Sequence, residues 1–214
     1  MFVPNVFAAL AEQRPVFHSE ADFQHALAWE LHRCLPRANV RLERPVELQQ
    51  GVKPIHVDIW VEQDGEVFAL ELKYKTRSLQ PLERGERFVL QNHGAQDIGR
   101  HDFVKDVWRV ETIVANLAHA TGYAILLTNE PSYWTRAHNS RTVDVDFRLH
   151  EGRELHGSLG WGAHASPGTK RGREKPLHLT GSYPLRWEDY SRTSAEAKCA
   201  TFRYLVVAVK WPRG

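Results

Sequence analysis

The sequence predicts an α/β protein: a mixed sheet flanked by helices, in the order helix, three strands, helix, strand, with a C-terminal strand and loop extension. Three observations carry this. Two runs of period-two alternation flank Asp64-Gly65, the strongest short-range signal of a β-hairpin. Apolar residues at helical spacing lie on either side of that hairpin, over 19–35 and 97–121. The composition, 42% hydrophobic and 25% charged over 214 residues, is globular and excludes a disordered or collagen-like chain. No repeat or linker divides the chain, so 1–214 reads as a single domain, with its core over 19–128 and an extension over 129–214.

The first 18 residues read as irregular, because Pro4 and Pro15 punctuate them. Ser19 is an N-cap, followed by Glu20 and Asp22, which complement the helix dipole. Phe23, Ala26, Leu27, Leu31 and Leu35 then recur at helical spacing until Pro36 stops the run. Asn39 to Leu48 alternates loosely around Pro45 and suits an edge strand. Ile55, Val57, Ile59 and Val61 alternate with polar residues before the Asp-Gly turn, and Phe68, Leu70, Leu72 and Tyr74 do so after it. Residues 76–96, polar and carrying Pro81, Gly85 and Gly94, read as a long loop. Phe103, Val107, Val110, Val114 and Leu117 form the stripe of a second helix that Gly122 ends. Tyr123 to Thr128 is a short buried strand, Val143 to Leu149 alternates like a strand, 150–182 reads as loop, and Thr201 to Lys210 is the last strand.

Charge and cysteine content narrow the function. Twenty-eight Lys and Arg against 26 Asp and Glu leave a net charge of +2, so nucleic-acid binding must come from a local patch. No apolar run approaches the ~18–20 residues of a membrane span. The start lacks the basic region of a secretory signal, and the two cysteines, Cys34 and Cys199, exclude a disulfide framework and a Cys-rich zinc site. A reducing cytoplasm is the expected location. His150, His156, His164 and His178 lack the helical pair spacing of a zinc motif.

The hairpin carries the chemistry. With Asp64-Gly65 as a two-residue loop, Asp58 faces Glu71 and His56 faces Lys73. If Ile55, Val57, Ile59 and Val61 point into the core, those four polar side chains share the other face. Directly opposed residues have Cβ atoms roughly 4.5–5.5 Å apart, and two carboxylates so placed repel unless a cation or a shared proton compensates. Mg²⁺ takes oxygen ligands from one or two carboxylates together with substrate phosphate. Lys73 then reaches a phosphate oxygen or the attacking water, and a fall in its pKa beside the metal would make it a base.

Asp58, followed across a hairpin by Glu71-Leu72-Lys73, with a helix before and a helix and strand after, resembles the PD-(D/E)xK nuclease superfamily. The resemblance covers residues 19–128 and implies a restriction-endonuclease-like core. It also implies that Asp58 and Glu71 bind Mg²⁺, with Mn²⁺ as a substitute, and that Lys73 assists the water that attacks the phosphodiester. An acidic residue on the first helix completes such sites. Here it is Glu20 or Glu30, with Glu20 preferred because it follows a Ser cap. The superfamily's proline before the aspartate is replaced by Val57, and Pro54 lies further upstream. Polar residues early in the second core helix face the site in many members, which makes Gln96, Asp97 and Arg100 candidates.

Two stretches are locally basic: Lys73, Lys75 and Arg77, and residues 167–175 with Lys170, Arg171, Arg173 and Lys175. Flexible Gly beside exposed cations suits phosphate contact without base reading. Arg100, Lys105 and Arg109 interleave with Asp102, Asp106 and Glu111, which suits pairing within the helix. Taken alone, Glu-x-Lys on a strand is most often a solvated face. The expected function is a Mg²⁺-dependent endonuclease acting on DNA in restriction, repair or defence, with RNA as a second substrate class and a homodimer where both strands are cut. The competing expectation is a non-catalytic nucleic-acid-binding or protein-interaction module on the same fold.

Overall fold

The structure is a computed structural model that describes residues 3–48, 53–139 and 141–210. In chain order it contains α1 (Val3–Gln13), α2 (Glu20–Cys34), β1 (Asn39–Val46), β2 (Ile55–Gln63), β3 (Glu66–Lys75), β4 (Leu82–Glu83), β5 (Glu86–Arg87), α3 (Gln96–Asn116), β6 (Ala120–Thr128), β7 (Glu154–Leu159), α4 (Pro167–Lys170), β8 (Leu177–Pro184), β9 (Trp187–Arg192) and β10 (Thr201–Lys210). The architecture is α/β, with a six-stranded mixed sheet ordered β1-β2-β3-β6-β10-β9. β3 and β6 pair in parallel, and α3 lies on the long crossover that a parallel pair requires. The other neighbours are antiparallel.

Alternation sorts the sheet's side chains between two layers. Ile59, Val61, Leu70, Leu72, Ile125, Leu127 and Phe202 pack under α1 and α2. Ala124, Leu126, Leu205 and Val207 face the other way, towards Phe103, Val107 and Val110 of α3 and Leu155 and Leu179 of β7 and β8. α2 begins at the expected cap, where Ser19 Oγ accepts the Asp22 amide at 3.1 Å. The β2–β3 turn holds Asp64 at φ 51° and Gly65 at φ 82°; positive φ at both central residues is the type I′ geometry that matches strand twist.

Four segments depart from the sequence reading. Residues 3–13 are helical, because Pro4 falls in the first turn, where its missing N–H has no helical partner to lose. Val3, Val6, Phe7 and Leu10 bury that helix's apolar stripe, and Phe7 stacks on Tyr204 with ring centroids 4.5 Å apart. Residues 76–96 include the small β4–β5 hairpin, anchored by buried Leu79, Phe88 and Leu90. Val143 to Leu149 is not a strand but a 3₁₀ turn at Val145–Phe147. Buried Asp144 there meets Arg100 at 2.8 Å and Arg148 at 3.1 Å. Residues 150–182 hold β7, α4 and much of β8; a register shift between His156 and Gly157, with Gly157 at φ 69°, breaks the alternation that would have marked them. Among the described residues no helix is long and apolar enough to cross a membrane.

Because α1 closes one layer of the core, Phe7→Ala is expected to cost about 3–5 kcal/mol in urea unfolding. Trp29→Ala, at a side chain 73% exposed, is expected to change stability by less than ~0.5 kcal/mol.

Candidate active site

β2 and β3 pair from Gln63 opposite Glu66 to Ile59 opposite Leu70, the register that the Asp-Gly turn dictates. The ladder then stops. β2 stays with β1 as far as Val46 opposite Ile55, and β3 stays with β6 as far as Lys75 opposite Thr128. Asp58 and Glu71 are therefore not a ladder pair, and neither are His56 and Lys73; His56 is exposed and lies opposite Pro45. The cause is a break in the alternation of β2 at Asp58. Ile59 and Val61 pack towards α1 and α2, whereas Val57 packs with Trp60, Ala69 and Ile113. On β1, Glu43 sits between the paired residues Leu42 and Arg44 with φ 50°.

The split leaves amides of β3 without strand partners, and buried amides must find acceptors. Carboxylates supply them: Leu72 N donates to Asp58 Oδ2 at 2.6 Å, and Tyr74 N donates to Glu20 Oε2 at 2.7 Å. One turn further along α2, Gln24 Nε2 donates at 2.7 Å to both the Asp58 carbonyl and Glu43 Oε1. On the opposite layer, Glu71 and Lys73 meet α3. Lys73 Nζ lies 2.8 Å from Asp106 Oδ2 and donates to the Leu72 carbonyl at 2.9 Å. Arg109 Nη1 lies 3.0 Å from Glu71 Oε2 and 3.6 Å from Asp106 Oδ1, and its Nη2 donates to the His56 carbonyl.

Electrostatics ties these groups into one cluster. Glu71 is fully buried, and neither carboxyl oxygen receives a hydrogen bond. Burial, followed by the nearby Asp106 and Asp58 carboxylates, pushes its pKa up to about 9 against the pull of Arg109 and Lys73. Burial raises Asp106 to about 6, opposed by Lys73 and Arg109. It also raises Asp58, whose bond from the Leu72 amide works the other way. Burial alone would lower the Lys73 ammonium, but Asp106 and Glu20 outweigh it and hold the pKa above the ordinary lysine range. In this arrangement Asp106 and Glu20 favour the ammonium form of Lys73.

Asp58 and Glu20 accept amides of β3 beside the split, Glu71 and Lys73 meet α3 on the other layer, and the four are linked by electrostatics. Glu30 does not join them; it is buried elsewhere on α2 against Arg33, at 2.6 Å. Asp106 and Arg109 belong to the cluster although the sequence reading confined them to pairing within α3. The available signal was an aspartate inside the apolar stripe, between Phe103 and Val110. Lys75 ends β3 half-buried, Arg77 is exposed with Nε 3.3 Å from Glu130, and Gln96 opens α3 half-buried. Arg100 is corrected: it is 4% exposed, held by Asp144 and the Ser132 carbonyl, so it offers no phosphate a contact. Lys170 is half-buried and Arg171 exposed at the end of α4, while Arg173 Nε is held by Asp102 at 3.1 Å.

Among the described residues no group of three or more His, Cys, Asp or Glu side chains is arranged to hold a metal ion. In the cluster, Asp58 and Glu20 each commit an oxygen to a β3 amide, and Lys73 and Arg109 pair with Asp106 and Glu71. The chain matches no protein-family model, no curated protein and no solved structure.

Because burial raises the Glu71 pKa to about 9 in the folded protein, folding takes up a proton once the unfolded carboxyl has ionised. This penalty grows from roughly pH 5 to pH 9. Glu71→Gln keeps the shape without the penalty. Thermal unfolding is expected to find it near wild type at pH 5 and more stable by at least ~1 kcal/mol at pH 8; an equal difference at both pH values would contradict the assignment.

Proposed function

We propose that the protein is a metal-dependent nuclease of the PD-(D/E)xK type that hydrolyses phosphodiester bonds of DNA. The observation that carries this reading is the placement of Asp58, Glu71, Lys73 and Glu20 around the point where β2 and β3 part. The sequence of elements α2, β1, β2, β3, α3 and β6 supports a restriction-endonuclease-like core.

The charge balance supports a divalent ion. Four carboxyl groups (Glu20, Asp58, Glu71 and Asp106) meet two cations, Lys73 and Arg109, and three of the four are pushed towards their acid forms. A doubly charged ion would relieve that excess, and oxygen donors without Cys or His are of the class that Mg²⁺ or Mn²⁺ takes, although among the described residues they are not arranged to hold one. Asp58 and Glu71 are the residues that would hold it, since the buried oxygens of Glu71 lack hydrogen bonds. Such an ion supplies Lewis-acid activation of the phosphodiester. Lys73 would bind a phosphate oxygen or orient the attacking water. Lys75, Arg77, Lys170 and Arg171 are backbone contacts that read no sequence. One cluster addresses one strand, so cutting both takes two copies.

The pairing of Lys73 with Asp106 and of Glu71 with Arg109 favours the second reading, a non-catalytic nucleic-acid-binding or interaction module. Incubation with supercoiled plasmid separates the two. Nicking is expected with Mg²⁺ or Mn²⁺ and not with EDTA, and Asp58→Ala or Lys73→Ala, folded by circular dichroism, is expected to lose at least ~10²-fold in rate. Cleavage that survives either substitution refutes the site. Tight DNA binding without cleavage under either metal establishes the module.

A further inference from the structure

We infer that the cavity beside the cluster is a subsite for one unstacked nucleotide of the DNA strand, so that the substrate is single-stranded or locally opened DNA; this rests on the nuclease reading. The cavity, about 570 Å³, lies between the end of β1, the start of β2 and the outer face of α3. Its size falls in the ~300–1,000 Å³ range of small-ligand sites. It adjoins the cluster through Arg109, which lines it and lies 3.0 Å from Glu71.

The lining specifies the chemistry of the occupant. Lys53, Lys105, Arg109 and His56 line the cavity, and among the described residues no carboxylate does. Among the described residues, Lys53 and Lys105 have no ion-pair partner, whereas Arg109 is paired with Glu71 and Asp106. Trp108 and Ile55 supply apolar wall. Lys105, Trp108 and Arg109 stand at i, i+3 and i+4 of α3 and so share one helical face. Unpaired cations around an aromatic wall suit an anion that carries a flat ring, and a nucleotide is that anion: its base meets Trp108 and its phosphate meets Lys53 and Lys105. A base stacked and paired within a duplex cannot enter such a cavity without first leaving the helix. The adjacency to Glu71 places the entering nucleotide next to the phosphate to be cut.

Binding measured without cleavage tests this. Fluorescence anisotropy in EDTA would compare a labelled 12-nucleotide single strand with its blunt duplex. The single strand is expected to bind at least ~5-fold more tightly, and Trp108→Ala is expected to weaken it by ~5-fold or more while changing duplex affinity less than ~2-fold. Trp108→Phe, which preserves packing, is expected to retain most of the affinity. Lys53→Ala and Lys105→Ala are each expected to weaken binding and to reduce its salt dependence by about one phosphate contact. Single-strand affinity unchanged in Trp108→Ala and in both lysine variants overturns the subsite, as does a duplex that binds more tightly than the single strand. Cleavage that needs metal and Asp58 but ignores Trp108 and Lys105 overturns the subsite and leaves the nuclease reading standing. Trp108-dependent single-strand binding without cleavage does the reverse.

Discussion

The structure of the site depends on one event in the sheet: β2 leaves β3 after Ile59 opposite Leu70. A sheet that opens must cover the amides it exposes, and here side-chain carboxylates replace strand carbonyls. Asp58 covers Leu72 and Glu20 covers Tyr74. Glu20 comes from the first turn of α2, so the same contact that satisfies β3 docks the N-terminus of a helix at the split. One turn on, Gln24 works in the opposite sense, donating to the Asp58 carbonyl of β2 and to Glu43 of β1. The acids are positioned by the backbone they cap, which gives them fixed places without a rigid loop.

Glu71 and Asp106 make the arrangement costly. At position 71 a carboxyl is fully buried and receives no hydrogen bond, on the layer of β3 where Ala69 packs with Trp60 and Ile113. An apolar side chain would fill that layer without the desolvation cost of an acid. Asp106 likewise occupies the buried stripe of α3. Two buried acids, matched by Lys73 and Arg109 reaching in from partly exposed positions, are poorly explained by stability. These gathered, perturbed acids are what the nuclease proposal rests on.

How much of this was legible in the sequence depended on whether the determinant was local. The Asp64-Gly65 turn fixes a register by its own dihedral preferences, and the ladder follows it. The Ser19 cap is equally local. Where a ladder ends is not local: the alternation of residues 55–74 looks the same whether or not the strands stay together, and the break at Asp58 shows only in which layer Val57 occupies. Arg100 misled for the opposite reason. Its place early in α3 suggested exposure, yet Asp144, 44 residues on, folds back to bury it. β7 and β8 were hidden by Gly157 and by histidines on exposed strand faces.

Arg109 belongs to both the cluster and the cavity. Its guanidinium touches Glu71, Asp106 and the His56 carbonyl, and the same side chain lines the cavity. The pull of Arg109 is one of the forces that lower the Glu71 pKa against burial. An anion arriving in the cavity competes for that guanidinium, because a charge-assisted bond to phosphate is as favourable as one to carboxylate. Any displacement of Arg109 towards the cavity weakens its hold on Glu71 and strengthens the tendency of that buried acid to keep its proton unless another cation takes the place of Arg109. If the cavity takes the inferred nucleotide, its occupation and the demand for positive charge at Glu71 would therefore meet at this one residue of α3.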